Sequence, residues 1–319
     1  MPSTVDGALS PEEIAAARER EKDTYRYLRG GMVVMIVMLV TSVLLYSAMH
    51  RCVATSLSAY YYTPVRPIFI AALCALGIML IAYRGTKDSE DILLDLAGVM
   101  AFLIAVMPTR APDKGCPNTL PIPKDVLDAS VHNNVAAVLV GLVFAKVSAV
   151  LMNKWKGTTR PLSDGGKWAR IVFWACIVVG TIAYTARNEW FLRDGNGHTS
   201  AAITLFVALA VVIFMNALMA TQKHDEAKPY PAIYTVIGAL MVLGVVWLGG
   251  LFLFDKTNGE SDWPYWTLVV EAGLIGLFAA FWVTQTIELW NATDRTKDLV
   301  QQAPATETDS LSCKAVRML

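Results

Sequence analysis

The sequence predicts an all-α protein: a polytopic bundle of about eight transmembrane helices with both termini on the cytoplasmic side. Three observations carry that expectation. Eight apolar runs, 31–50, 66–83, 92–107, 133–152, 168–186, 199–221, 231–253 and 266–287, hold few or no charges, and about 20 residues rising 1.5 Å each cross a hydrocarbon core. The runs lack the polar alternation of barrel strands, which leaves helices as the way to satisfy backbone N–H and C=O groups in lipid. That threading also puts 18 Lys and Arg on the side of the termini and 8 on the other, with Lys146 inside a span, as expected when basic loops stay in the cytosol of a cell membrane. A hydrophobic content of 55% against 17% charged residues excludes a soluble domain. Zero net charge gives no sign of a nucleic-acid partner; the bilayer itself, other membrane proteins or further copies of the chain are the expected surroundings.

Taken in order, the elements begin at Ser10-Pro11-Glu12-Glu13. A cap residue, a proline at the first helical position and an acid three residues after the cap predict a cytosolic helix from Pro11 towards Arg29, within an N-terminal unit of residues 1–30. The first run follows without a cleavage pattern and is expected to act as a signal anchor. Between the first two runs, Ser58, Tyr60, Tyr61 and Tyr62 place aromatic rings with polar tips on the outer face. They suit an aromatic belt in the headgroup region, or a lid over the outer opening joined by Trp190, Trp263 and Trp266. The third run is the shortest and carries Asp95 about one turn from its inner end. The loop 108–132 then brings Cys116 to the same face as Cys52; these two are the candidate disulfide, the alternative being two unrelated thiols. Lys146, in the fourth run, lies at a depth similar to that of Asp95 on the neighbouring antiparallel helix, and Asn216 in the sixth is a further partner for either. The plainer reading has Lys146 snorkelling to the surface and Asp95 capping its helix. Glu271 lies about five residues below the outer end of the last run, with no cation near it in sequence. The transmembrane domain, 31–290, closes there, and the Thr/Ser-rich tail 291–319 is expected to be disordered.

Charges in hydrocarbon are costly, so Asp95, Lys146 and Glu271, with Asn216, are the intramembrane polar candidates. His50, His132 and His198 all fall at the outer ends of spans, and Asp128 lies one turn before His132. Three imidazoles and a carboxylate are a donor set for zinc, although no two of these histidines share a helix; the plain reading is interfacial or capping histidines. Gly165-Gly166-Lys167 lacks the remainder of a phosphate-binding loop, and no catalytic residue can be named from a motif. Three functions follow. The foremost is non-enzymatic transport, permeation or sensing of a small solute or ion, with no cofactor expected. The second is a structural or accessory subunit of a larger membrane complex. The third is an outer-face metal-dependent lipid hydrolase, with zinc.

Ser56-Leu57-Ser58-Ala59-Tyr60-Tyr61-Tyr62-Thr63, followed by Arg66-Pro67, Tyr83-Arg84-Gly85, Glu90-Asp91, Asp95-Leu96-Ala97-Gly98 and Met107-Pro108-Thr109, resembles a group of uncharacterised bacterial multi-span membrane proteins that share the Ser-x-Ser-x-Tyr-Tyr-Tyr-Thr segment. The resemblance covers the first four spans and the middle spans only in hydropathy. It implies that the Tyr cluster, Asp95, His132 and Glu271 belong to one shared pattern. Because that group has fewer spans, it also implies that about 190–253 is an addition. His132 and His198 each open a span soon followed by Ala-Ala, a faint internal echo that would pair the hairpin of spans four and five with that of six and seven.

Overall fold

The computed structural model describes residues 10–109, 116–117, 119–120, 122–157, 161–186, 195–221, 229–258 and 265–292. The tail beyond 292, Trp190 and Trp263 lie outside these residues. Among the described residues the protein is all-helical: α1 (Pro11–His50), a 3-10 turn (Ser58–Tyr62), α2 (Arg66–Ala82), α3 (Asp88–Val106), α4 (Lys124–Lys156), α5 (Asp164–Ala186), α6 (Asn196–Thr221), α7 (Tyr230–Asn258) and α8 (Trp266–Glu288). Each apolar run falls on one helix. Six of these helices are long and apolar enough to cross a membrane, and α2 is a shorter apolar helix. The chain is therefore an integral membrane protein by the length and composition of its helices.

α1 starts where the capping box predicts. The Ser10 backbone N–H donates to Glu13 Oε2 at 2.7 Å and the Glu13 N–H to Ser10 Oγ at 3.2 Å, which hold the exposed Glu13 carboxyl below the ordinary glutamate range. The helix then continues unbroken into the first apolar run, over 40 residues, about 60 Å at 1.5 Å per residue. The N-terminal helix and the first span are thus one element: no proline separates Arg29 from Met32, and the helix runs on through Gly30 and Gly31, although glycine is a poor helix former. α1 ends at Arg51, whose left-handed backbone (φ 47°) turns the chain back.

α1, α2, α3, α6, α7 and α8 close a ring in that order, each packed on the next and α8 returning to α1. The helices run alternately between two ends. One is the disulfide end, where α1 finishes; the other is the Arg29 end, where α8 finishes. The hairpin α4–α5 stands outside the ring against α3, and much of its apolar surface is exposed, including Val140, Phe144, Leu151, Ile171 and Val179. The two hairpins linked by the sequence echo thus occupy unlike places. The segment marked by the resemblance as an addition supplies α6 and most of α7, two sides of the ring.

α3 is enclosed by α2, α4, α5 and α6, which explains how a helix with Asp88, Glu90 and Asp91 in its first turn can belong to an apolar bundle: its polar groups meet protein rather than lipid. Its approach to α2 depends on two glycines. A Cβ at Gly77 would lie 2.9 Å from the Gly98 carbonyl oxygen, and one at Gly98 would lie 2.7 Å from that of Gly77; small residues at the crossing let the backbones meet. The start of α5 is fixed to α3 through Asp88, which accepts from the Ser163 N–H at 2.7 Å and the Ser163 hydroxyl at 2.6 Å.

Candidate functional site

The tyrosine segment is neither a headgroup belt nor a free loop. Tyr60, Tyr61 and Tyr62 are 1%, 3% and 5% exposed, because their 3-10 turn tucks its rings between α1 and α2. The Tyr60 hydroxyl lies 2.6 Å from Ser47 Oγ. The Tyr61 hydroxyl accepts from Arg66 at 2.8 Å, with the guanidinium 4.3 Å over the ring. The Tyr62 hydroxyl donates to the Thr109 carbonyl at 2.7 Å, and burial pushes its pKa up to about 12. Cys52 and Cys116 are joined by a disulfide, and the Leu120 N–H donates to the Tyr62 carbonyl at 2.7 Å, so the loop after α3 is fastened to the loop after α1. The result is a plug over one end of the ring.

Beneath the plug, Glu271 from α8 meets Ser58 and, through it, His198 from α6. Glu271 Oε2 accepts the Leu57 N–H at 2.6 Å and the Ser58 N–H at 3.4 Å. Oε1 lies 3.0 Å from Ser58 Oγ. The same Ser58 oxygen lies 2.8 Å from His198 Nε2, and His198 Nδ1 lies 2.6 Å from the Met107 carbonyl oxygen at the end of α3. Four segments of chain therefore meet in one hydrogen-bonded file. Ser58, His198 and Glu271 line a cavity of about 90 Å3 to which all six ring helices contribute, and its other described lining residues are apolar, such as Leu39, Phe69, Leu205 and Phe278. A second, apolar cavity of about 310 Å3 lies between the α4–α5 hairpin and the ring.

A separate polar cluster occupies the Arg29 end. Asn216 Nδ2 donates to Glu90 Oε1 at 2.8 Å, and Gln285 Nε2 donates to Asn216 Oδ1 at 2.9 Å, linking α3, α6 and α8. Glu90, 1% exposed, also accepts the Thr86 N–H at 2.9 Å, and a Cβ at Gly85 would collide with its carboxyl group. Arg29 is fully buried; its Nη2 donates to the carbonyls of Leu289 at 3.2 Å and Ala292 at 3.5 Å. Nearby rings form a file from α1 to α8, Tyr25 on Tyr83 and Tyr83 on Trp282.

The other sequence candidates go elsewhere. Asp95 makes its ion pair with Arg84, 3.5 Å away, because the short α2–α3 turn brings Arg84 over the first turns of α3; Lys146 acts on it through charge at longer range. Lys146 lies on the exposed side of α4, 5.7 Å from the Trp174 ring centre on α5. Asn216 likewise bonds to Glu90 and Gln285 rather than to Asp95 or Lys146. The rim histidines do not share a site. His50 Nδ1 is 3.0 Å from the Tyr46 carbonyl of its own helix and stacks on the Tyr46 ring. His132 Nδ1 is 2.7 Å from the Asp128 carbonyl, also its own helix, so Asp128 offers its backbone there. Among the described residues no three His, Cys, Asp or Glu side chains are grouped to hold a metal ion. His50 and His132 each face a carbonyl of their own helix, whereas His198 faces the Met107 carbonyl and Ser58.

Two polar residues, Arg29 and Gln285, escaped the sequence reading, and Glu90 entered it only within the resembling pattern, without a role. Glu90 sits among Lys87, Asp88, Ser89 and Asp91, and nothing in that order tells which acid turns inward. Arg29 read as one of a basic row. No family model matches the chain, and no curated protein or solved structure matches it.

Proposed function

We propose that all eight helices cross the cell membrane with both termini on its cytoplasmic side, and that the protein carries or conducts a small solute or ion, with proton exchange at Glu271. The up-and-down order of the helices and the basic residues gathered at the Arg29 end support the threading. The observation that carries the function is Glu271 at the head of the ring's own cavity, a carboxyl group in an otherwise apolar chamber linked to a histidine. An ionisable group so placed in a membrane helix marks an ion or proton path.

The test is a pH step applied to reconstituted protein on a solid-supported membrane. A transient current is expected in the wild type and its loss in Glu271→Gln, with the variant eluting as the wild type does on gel filtration. Equal currents in the two, or none in the wild type, would overturn the reading. The exposed apolar faces of α4 and α5 favour a second one, an accessory subunit or homo-oligomer that uses the hairpin as its contact. Stoichiometric partner chains after purification in mild detergent would support it, and a monodisperse monomer would argue against it.

A further inference from the structure

The file from Met107 to Leu57 fixes how many protons it holds. Met107 offers a carbonyl oxygen, which can only accept, so His198 Nδ1 at 2.6 Å carries a hydrogen. Glu271 Oε2 receives two backbone N–H groups, so any proton on that carboxyl group resides on Oε1. Two contacts remain, Oε1 to Ser58 Oγ at 3.0 Å and Oγ to His198 Nε2 at 2.8 Å. Each needs one hydrogen. The serine hydroxyl supplies one, and the second must come from either end.

We infer that Glu271, Ser58 and His198 form a single-proton store, in which one proton is shared between the carboxyl group and the imidazole through the Ser58 hydroxyl. In one state Glu271 is neutral, its Oε1–H donates to Oγ, and the serine hydroxyl donates to Nε2. In the other, Nε2–H of an imidazolium donates to Oγ and the serine hydroxyl donates to the carboxylate. The step between them breaks Oε1–H and Oγ–H and forms Oγ–H and Nε2–H. Both states have zero net charge, so the proton moves across the cluster without placing net charge in an apolar cavity. Removing the proton leaves two lone pairs facing each other at one of the contacts and a net negative charge. While Ser58 stays in place the cluster retains its proton, and release requires the plug to move Ser58 away.

Other titratable groups at this end are occupied elsewhere. From α1, Tyr46 donates to the Pro117 carbonyl and His50 faces the Tyr46 carbonyl. In the plug, Tyr60 pairs with Ser47, Tyr61 with Arg66 at the start of α2, and Tyr62 with Thr109. α3 faces the cluster with the Met107 carbonyl, and the described residue of α7 on the cavity is Leu248.

This inference rests on Glu271 as the proton-exchanging group, and its test reads protonation directly rather than transport. In full-length protein in nanodiscs at neutral pH, infrared spectra of wild type against Glu271→Gln report the carboxyl proton. Nitrogen-15 histidine spectra, assigned with His198→Gln, report the imidazole. One proton in total is expected. An ionised Glu271 with a neutral His198, or a neutral Glu271 with a charged His198, would overturn the store. Ser58→Ala should lose the proton at about tenfold lower proton affinity, the worth of one hydrogen bond to a charged group. Ser58→Thr, which keeps the hydroxyl, should retain it. Equal affinity in wild type and Ser58→Ala would also overturn the store. If the pH-step current fails while the proton count holds, transport falls and the store stands; the reverse result separates them the other way.

Discussion

The polar clusters at the two ends of the ring differ in how completely they are satisfied. At the disulfide end, every side-chain oxygen and nitrogen of Glu271, Ser58 and His198 has a partner. At the Arg29 end, Arg29 Nε and Nη1, Trp282 Nε1 and Gln285 Oε1 have none among the described residues. A buried polar group left without a partner costs about 1–3 kcal/mol. The difference separates two uses of buried polarity. A closed file can hold and pass a proton because each atom has one defined role. An open set fixes charge and shape near the helix ends and contributes less to stability than its number of polar groups suggests.

The largest effect should come from breaking the closed end covalently. Cys52 and Cys116 are separated by 64 residues, and a loop of that size corresponds to about 4 kcal/mol in the chain-entropy account. Cys52→Ser is therefore expected to lower the melting midpoint strongly, with reductant lowering the wild type towards the variant. The plug should loosen with it, seen as faster amide exchange at Tyr60 and Tyr62. Unchanged exchange there would show that the tyrosine hydrogen bonds hold the plug unaided.

A smaller loss is expected at the open end from Asn216→Leu. Asn216 donates to Glu90 and accepts from Gln285, so its removal strands a buried carboxylate oxygen and a buried amide, together about 2–5 kcal/mol. Thermal melts in detergent would measure it. A loss below about 1 kcal/mol would mean that Glu90 and Gln285 find each other once Asn216 is gone, and that this end tolerates rearrangement.

These contrasts bear on what the sequence could disclose. The all-helical fold and the position of each apolar run were legible because a helix crossing lipid needs a long uncharged stretch, and little else produces one. Ser58, His198 and Glu271 were each suspicious alone, as a serine in an aromatic segment, a histidine at a span end and an acid inside a span. Their meeting was not legible, since it depends on α6 and α8 closing a ring around a turn 140 and 213 residues distant from them, respectively. Asp95 and Lys146 misled for the converse reason. Equal depth on consecutive helices suggests a pair, and Lys146 does act on Asp95 through charge, yet the adjacent turn supplies Arg84 as the ion-pair partner. Glu90 stayed hidden among four polar neighbours whose facing only the packing of α3 decides.

Arg29→Met gives the smallest expected effect and the sharpest comparison with Glu271. The guanidinium is fully buried, faces two carbonyls at the carboxyl end of α8, and leaves Nε and Nη1 unpartnered among the described residues. The helix end attracts a cation, by about 0.3–2 kcal/mol, but desolvating that cation costs several kcal/mol, and well-packed apolar replacements of buried ions are often neutral or stabilising. The melting midpoint of Arg29→Met should therefore stay level or rise, and the pH-step current should survive. A fall of more than about 2 kcal/mol would mean that Arg29 compensates the buried Glu90 charge across the bundle, because an uncompensated buried charge is the costly state. The double variant Arg29→Met with Glu90→Gln decides between these. If the two charges are coupled, the second substitution restores much of what the first removes; if they are independent, the losses add.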